Sequence, residues 1–440
     1  MKKLLPFLNK YPFITTYSLT VSELLFGYIL LFFITREYSA EDVGLWFIFF
    51  SIFNFSINIR EGVTYVALVK FSSGKDNQLA YQTYKTVIIA ILIIEIVIGA
   101  LIALVGYLNI FPNISYFLMV YPIFSITNNC LKWVENIHKS RDTLYRAVII
   151  NVISLTLLVL GIYYVHLYTL SIQNLVLVIV GVYSLSFLIS LSTIPIKSIL
   201  LSPFDKKTFK EIMHYAKQGT LKALFGTASS KMTLFLSAGI ISLKITAMLG
   251  LAQRYLVIIL SISNAIQLSF YPKIVELYEK GNMEEFKKYF LQTLGKVYLI
   301  VLPISIGFLI LIKPFIVLLH GDQYSDSFHL LVILVITSLF APLGAFFASY
   351  TNAKGKPQLS TNIVVMNSIL LIILSYVMVT YMGEIGTVLP ALVTEIIGAV
   401  VIFIFYIRYE NINLLKIIPL MRLEALTIFY HLRKKLLGNA

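Results

Sequence analysis

Long apolar runs joined by short basic or polar connections set the pattern of this chain. A helix needs about 20 apolar residues to cross roughly 30 Å of hydrocarbon. Twelve stretches qualify, near residues 13–34, 43–69, 86–108, 114–132, 146–165, 174–194, 219–243, 246–270, 294–312, 328–351, 361–381 and 385–407. The pattern predicts an all-α, polytopic membrane protein. Between the sixth and seventh stretches runs SPFDKKTFKEIMHYAKQGTLKALFG, in which Phe204, Phe209, Ile212, Met213 and Ala216 share one helical face with lysines opposite. That face predicts an amphipathic helix lying on the inner leaflet. The C-terminal tail is similar in character, and its apolar runs are too short and interrupted for a thirteenth span.

The spans also repeat. A shift of about 206 residues lays Gly44 over Gly250, Asn58 over Asn264, Glu61 over Gln267 and Tyr65 over Tyr271. Span order, loop orientation and the basic loop after the second span repeat with them, which predicts a parallel 6 + 6 transporter-like architecture around a central cavity. The expected organisation is an N-terminal bundle over 1–197, an amphipathic cytoplasmic linker over 198–218, a C-terminal bundle over 219–408 and a basic cytoplasmic tail over 409–440.

Composition agrees: of 440 residues 58% are hydrophobic and 13% charged, and the mean hydropathy is +0.86. The net charge of +14 would raise nucleic acid as a partner in a soluble protein. Sorted by span, however, 29 of the 35 basic residues fall in one set of connections and three, Arg36, Lys244 and Lys313, in the other. The positive-inside rule then expects both termini in the cytoplasm and removes nucleic acid as a partner. The single cysteine, Cys130, excludes an intramolecular disulfide and a thiolate metal cluster. The basic start MKKLLPFLNKYPF precedes an apolar run too long for a signal peptide, so a retained first span is expected.

Three cations, Arg60, Lys231 and Arg254, and four acids, Glu23, Glu61, Glu95 and Glu395, remain at membrane depth. A cation at the bilayer centre costs about 2.5–3.5 kcal/mol on insertion scales, so such charges face a partner or a wet cavity. On the second span Asn54, Asn58, Glu61 and Tyr65 form a polar stripe opposite Ile52, Phe55, Ile59, Val63 and Val66, with Ser56, Arg60 and Thr64 beside it. On the eighth, Gln253, Arg254, Ser261, Asn264 and Gln267 share one arc. Either the cations pair with Glu61, Glu23 or Glu395 to hold helices together, or they line a cavity. Adjacent Arg60 and Glu61 do not face each other on a helix and need other partners. Glu95, alone among isoleucines, reads equally as a structural acid or a proton-coupling group.

No GxxxxGKS or GxxxxGKT motif, HExxH or GxSxG occurs, so a nucleotide-driven pump complete in itself and the common hydrolase chemistries are not expected. Neither are catalytic residues, a resident metal or a cofactor. The histidines and aspartates of HGDQYSDSFH read as solvated loop groups, and Glu41 and Asp42 read as acids favouring the start of the second helix.

REYSAEDVGLWFIFFSI after span one, FYPKIVELYEKGNMEEFKKYF after span eight, LHGDQYSDSFHLLVIL after span nine and NAKGKPQLSTNIVVMNSILLIIL before span eleven resemble, in order and spacing, Wzx-type polysaccharide flippases of the multidrug/oligosaccharidyl-lipid/polysaccharide exporter superfamily. The resemblance covers essentially the whole chain. It implies an alternating-access flippase in a bacterial inner membrane, moving undecaprenyl-pyrophosphate-linked oligosaccharide repeat units for O-antigen (lipopolysaccharide), capsule or exopolysaccharide assembly. A proton or sodium ion and a glycan polymerase are candidate partners. On that reading Arg60, Lys231 and Arg254 face the pyrophosphate or acidic sugars, Asn58, Gln253, Asn264 and Gln267 the sugar hydroxyls, and Glu23, Glu61, Glu95 and Glu395 are coupling candidates. In lipid II flippases of the superfamily, basic residues on the first, second and eighth spans line the cavity. Arg60 and Arg254 match by span, whereas the first span carries Glu23. The alternatives are a cation-coupled multidrug antiporter of the same superfamily and a membrane glycan polymerase or ligase. Three cations favour an anionic cargo over the former, and the absence of a large outside loop disfavours the latter.

Overall fold

With no water in the hydrocarbon region, each backbone N–H and C=O must find its partner within the segment, so long apolar runs fold as helices. The computed structural model describes residues 12–61, 67–72, 76–141 and 143–422, and among them are fifteen α-helices and no β-strand. Among the described residues eleven segments are long and apolar enough to span a membrane, and each coincides with a predicted stretch. The protein is therefore multi-pass and all-α. The other predicted stretch, 219–243, is helical but less apolar, because Lys222, Lys231 and a run of Gly, Thr and Ser dilute it.

The chain divides into two compact units, Met1–Ala228 and Ser229–Ala440. The first contains α1 (Pro12–Glu37), α2 (Ala40–Glu61), α3 (Ala67–Ser72), α4 (Asn77–Tyr107), α5 (Ser115–Ser140), α6 (Leu144–Leu167), α7 (Ile172–Leu191), α8 (Ile196–Leu201) and most of α9 (Lys206–Leu236). Its closest packing is α4 on α5. A Cβ on Gly99 would come within 3.0 Å of the Pro122 side chain, and one on Gly106 within 2.8 Å of the Ser115 carbonyl. Small residues at such points let membrane helices approach. The Asp76 carboxylate starts α4 by accepting from the Leu79 N–H at 2.9 Å.

The predicted linker helix and the seventh stretch form one unbroken helix, α9, started by Asp205, which accepts from the N–H groups of Lys207 and Thr208 at 2.9 and 3.2 Å. Its first turns do not spend their apolar face on lipid alone: Ile212 is fully buried in the core with Leu68, Ile137 and Ile199, and Phe209 packs against it. Phe204 and Met213 stay exposed. Lys85 of α4 ties the preceding turn down by donating to the carbonyls of Leu200 and Ser202 at 2.8 and 2.7 Å.

The second unit holds the end of α9, a π-helical turn (Ser237–Ile241), α10 (Leu243–Glu279), α11 (Met283–His320), α12 (Ser327–Ser338), α13 (Ala341–Ala353), α14 (Pro357–Met382) and α15 (Leu389–Tyr409). Gly281, at φ +71°, makes the turn between α10 and α11. Asn282 then caps α11, accepting from the Glu285 N–H at 3.2 Å while its amide donates to the Glu285 carboxylate at 2.7 Å. One predicted stretch, 328–351, is split into α12 and α13 by Pro342, which cannot donate. At the far end of this unit an aromatic core joins Phe286 to Tyr350 and Phe290 to Tyr406, with ring centroids 4.8 and 5.0 Å apart.

Candidate functional site

Arg60 sits in the last turn of α2, 1% exposed, and its guanidinium is ion-paired with Glu95 of α4, which is 0% exposed. Around the pair, Arg60 donates to Ser125 Oγ at 3.1 Å and to Ser56 Oγ at 2.9 Å. Asn129 donates to Glu95 at 2.9 Å and back to the Ser125 carbonyl at 2.8 Å, and Tyr121 bonds Ser56. The geometry is set by α4 and α5: Glu95 and Gly99 lie one turn apart on one face, facing Asn129, Ser125 and Pro122 of α5. Arg60 Nε and Glu95 Oε2 have no hydrogen-bond partner among the described residues, so the network retains one open donor and one open acceptor.

A second polar cluster lies in the same unit. Lys132 of α5 donates to Glu23 of α1 at 2.7 Å and to Glu135, one turn on, at 2.8 Å. Glu135 is fully buried. Lys132, the last residue of the predicted stretch 114–132, lies well within the helix because α5 runs on to Ser140. Lys132, Glu135, Ser125, Asn129 and Tyr121 are the polar residues that the reading misses. Their signal is present as a stripe on α5 at positions 125, 129, 132 and 135–136, spaced by three or four residues. The side chains of Asn58 and Glu61 lie outside those described.

In the second unit Lys231, half-buried on α9, stands within electrostatic reach of Arg254 on α10. Among the described residues Lys231 makes no ion pair. Gln253 and Arg254 are half-buried and Asn264 is exposed. Gln267 is engaged by α13, donating to the Ala345 carbonyl at 2.8 Å and Ser349 Oγ at 2.9 Å. Glu395 is half-buried on α15 and has no ion-pair partner among the described residues. A further polar contact joins Tyr255 to His320 Nε2 at 2.7 Å. Among the described residues no group of three or more His, Cys, Asp or Glu is placed to hold a metal ion.

A family model described as "Polysaccharide biosynthesis protein" matches residues 112–329. No curated protein matches the sequence. Among solved structures the chain is similar to an inward-facing multidrug resistance MATE family transporter of the MOP superfamily, at 14% identity over 92% of this chain and 96% of that one, with a TM-score of 0.71. It is similar to the lipid II flippase MurJ in an inward closed conformation, at 13% identity over 97% and 100%, with a TM-score of 0.69. A Vibrio cholerae MATE transporter matches at 18% identity over 93% and 99%, with a TM-score of 0.59. At these identities the likeness is one of fold.

Proposed function

We propose that this chain, with the transporter fold shared by MATE proteins and MurJ and a polysaccharide biosynthesis segment over residues 112–329, is an alternating-access flippase for a lipid-linked oligosaccharide. Its cargo is an undecaprenyl-pyrophosphate-linked repeat unit, carried from the cytoplasmic to the periplasmic leaflet of a bacterial inner membrane, with both termini cytoplasmic. The observation that carries this reading is Lys231, half-buried on α9 with no ion-pair partner among the described residues and with Arg254 within electrostatic reach. A half-buried lysine beside another cation loses hydration and is repelled, and an anion arriving at Lys231 would relieve both penalties. A pyrophosphate fits that need, and a cationic drug would aggravate it.

Gln253 and Asn264, on the same helix as Arg254, are the proposed contacts for polar cargo, and Asn58 is a further candidate from the sequence pattern. The Gln267 amide is committed to α13, which leaves its carbonyl oxygen for a sugar hydroxyl. Arg60 enters differently, because Glu95 already neutralises it. Protonation of Glu95 would release Arg60 as a cation, so this pair supplies a route by which a proton gradient could gate anion binding. Glu23, bound to Lys132, is a second coupling position.

The test is flipping of a fluorescent undecaprenyl-pyrophosphate oligosaccharide in proteoliposomes by wild type, Lys231→Gln and Arg254→Gln. A charged hydrogen bond contributes about 1.5–3 kcal/mol, so each variant should raise the half-saturating cargo concentration by roughly ten- to a hundredfold. Unaltered half-saturation in both variants would sink the cargo-site assignment. The multidrug antiporter remains the second reading, favoured by the similarity to a MATE transporter at a TM-score of 0.71. Proton-driven uptake of a cationic dye without any glycolipid flipping would decide for it.

A further inference from the structure

Where α11 begins and the chain leaves α15, a cleft of about 410 Å³ opens, lined by Lys287, Lys288, Leu291, Ile412, Lys416 and Leu420 among others. Both helices are long and apolar enough to span a membrane, so the cleft sits where a span meets water. One wall is the segment after α15, which hugs α11 at Gly295: Met421 and the Ile417 carbonyl lie 3.6 and 3.7 Å from where a Cβ would stand. Ile412, Leu414 and Ile417 of this segment are buried.

Among the described residues no carboxylate lines the cleft. Lys287 Nζ donates to the main-chain oxygen of Glu410 at 2.5 Å. The Glu410 carboxylate is already taken by Lys354, at 2.6 and 2.7 Å, and by the Tyr350 hydroxyl at 2.7 Å. Among the described residues Lys287, Lys288 and Lys416 form no ion pair. Glu284 and Glu285 of the first turn of α11 do not line the cleft, and Glu285 is engaged by Asn282. Beside this basic hollow the surface is apolar, with Leu415 60%, Ile418 67% and Tyr409 74% exposed. A soluble anion has no use for that apolar rim. An anionic lipid has a use for both parts, since its phosphate needs cations and its acyl chains need apolar neighbours.

We propose that this cleft binds the phosphate of an anionic phospholipid, with Lys287, Lys288 and Lys416 on the headgroup and Leu415 and Ile418 against the chains. The site lies within the second unit and does not depend on which cargo the protein moves. The test measures binding of phosphatidylglycerol, phosphatidylcholine and inorganic phosphate to the full-length protein in a neutral detergent, by native mass spectrometry and thermal unfolding. The variants are Lys287→Gln/Lys288→Gln/Lys416→Gln and a control, Lys273→Gln/Lys280→Gln, whose lysines are held by Glu276 outside the cleft.

Each lysine near an anionic lipid surface is expected to contribute roughly fivefold, so the triple variant should bind phosphatidylglycerol roughly a hundredfold more weakly, with the control unchanged. Should the triple variant fold poorly, exposed Lys416→Gln alone should still weaken binding roughly fivefold. Wild-type affinity in these variants, or an equal loss in the control, would overturn the proposal. So would inorganic phosphate that binds as tightly as phosphatidylglycerol, since the occupant would then be a free anion. Glycolipid flipping is a separate readout, and its failure leaves this outcome unaffected.

Discussion

Arg60 is tolerated at membrane depth because Glu95, Ser56 and Ser125 take over the work of water around its guanidinium. A buried pair of this kind adds little net stability, yet removing one partner strands the other as an uncompensated charge. Arg60→Met and Glu95→Leu should therefore each destabilise the protein by about 3–5 kcal/mol, while the double variant should recover most of that loss. Thermal and denaturant unfolding in detergent across the four proteins provides the check, and additive losses would contradict the pairing. If Glu95 also couples a proton, Glu95→Gln should retain flipping but lose its dependence on an imposed pH gradient. The partner of Arg60 was not legible in the chain. Adjacent Glu61 was excluded by helix geometry, but choosing among distant acids requires the rotation of α2 and α4, which polarity alone did not fix. Lys132 escaped notice for a simpler reason, since its polar neighbourhood resembles the start of a loop.

At the level of elements, the spacing of apolar runs was enough to locate eleven spanning helices, because each needs the same length to cross the same hydrocarbon. It was less informative for α9. The lysines that read as an interfacial face belong to a helix whose Ile212 and Phe209 complete a protein core, and an amphipathic pattern does not distinguish protein from lipid as the apolar neighbour. The break between α12 and α13 was likewise hidden inside one hydrophobic run, with Pro342 as its only mark. Close approach of α4 and α5 yields a sharp prediction. Gly106→Ala places a methyl group against the Ser115 carbonyl at 2.8 Å and Leu118 Cβ at 2.9 Å. Backbone must move to accommodate it, at a cost of about 1–3 kcal/mol. Gly281→Ala provides a comparison, because its cost would come from the positive φ and not from crowding. Unfolding of both variants in detergent, together with cysteine-free crosslinking between α4 and α5, separates the two causes.

For the molecule as a whole, the proposed function predicts that an outward-moving pyrophosphate would make transport electrogenic. Two negative charges leaving a negative interior release roughly 4.6 kcal/mol per 100 mV, from about 2.3 per charge. Proteoliposomes clamped at opposite potentials should therefore accumulate cargo in opposite directions. Indifference to the potential would mean that counter-charge travels with the cargo. The distribution of polarity along the chain also bears on how the protein is made. Asn77–Tyr107 is the most apolar of the eleven spanning segments, and Pro112–Ser140, with its asparagines, Lys132 and buried Glu135, is the least. Alone, the second of these would be a poor client for the insertion machinery, whose partition step rejects charged and amide side chains. It emerges from the ribosome directly behind a segment that inserts readily and carries the glycines against which it packs. Biogenesis of the first unit thus has a built-in order, in which one helix escorts the next into the bilayer.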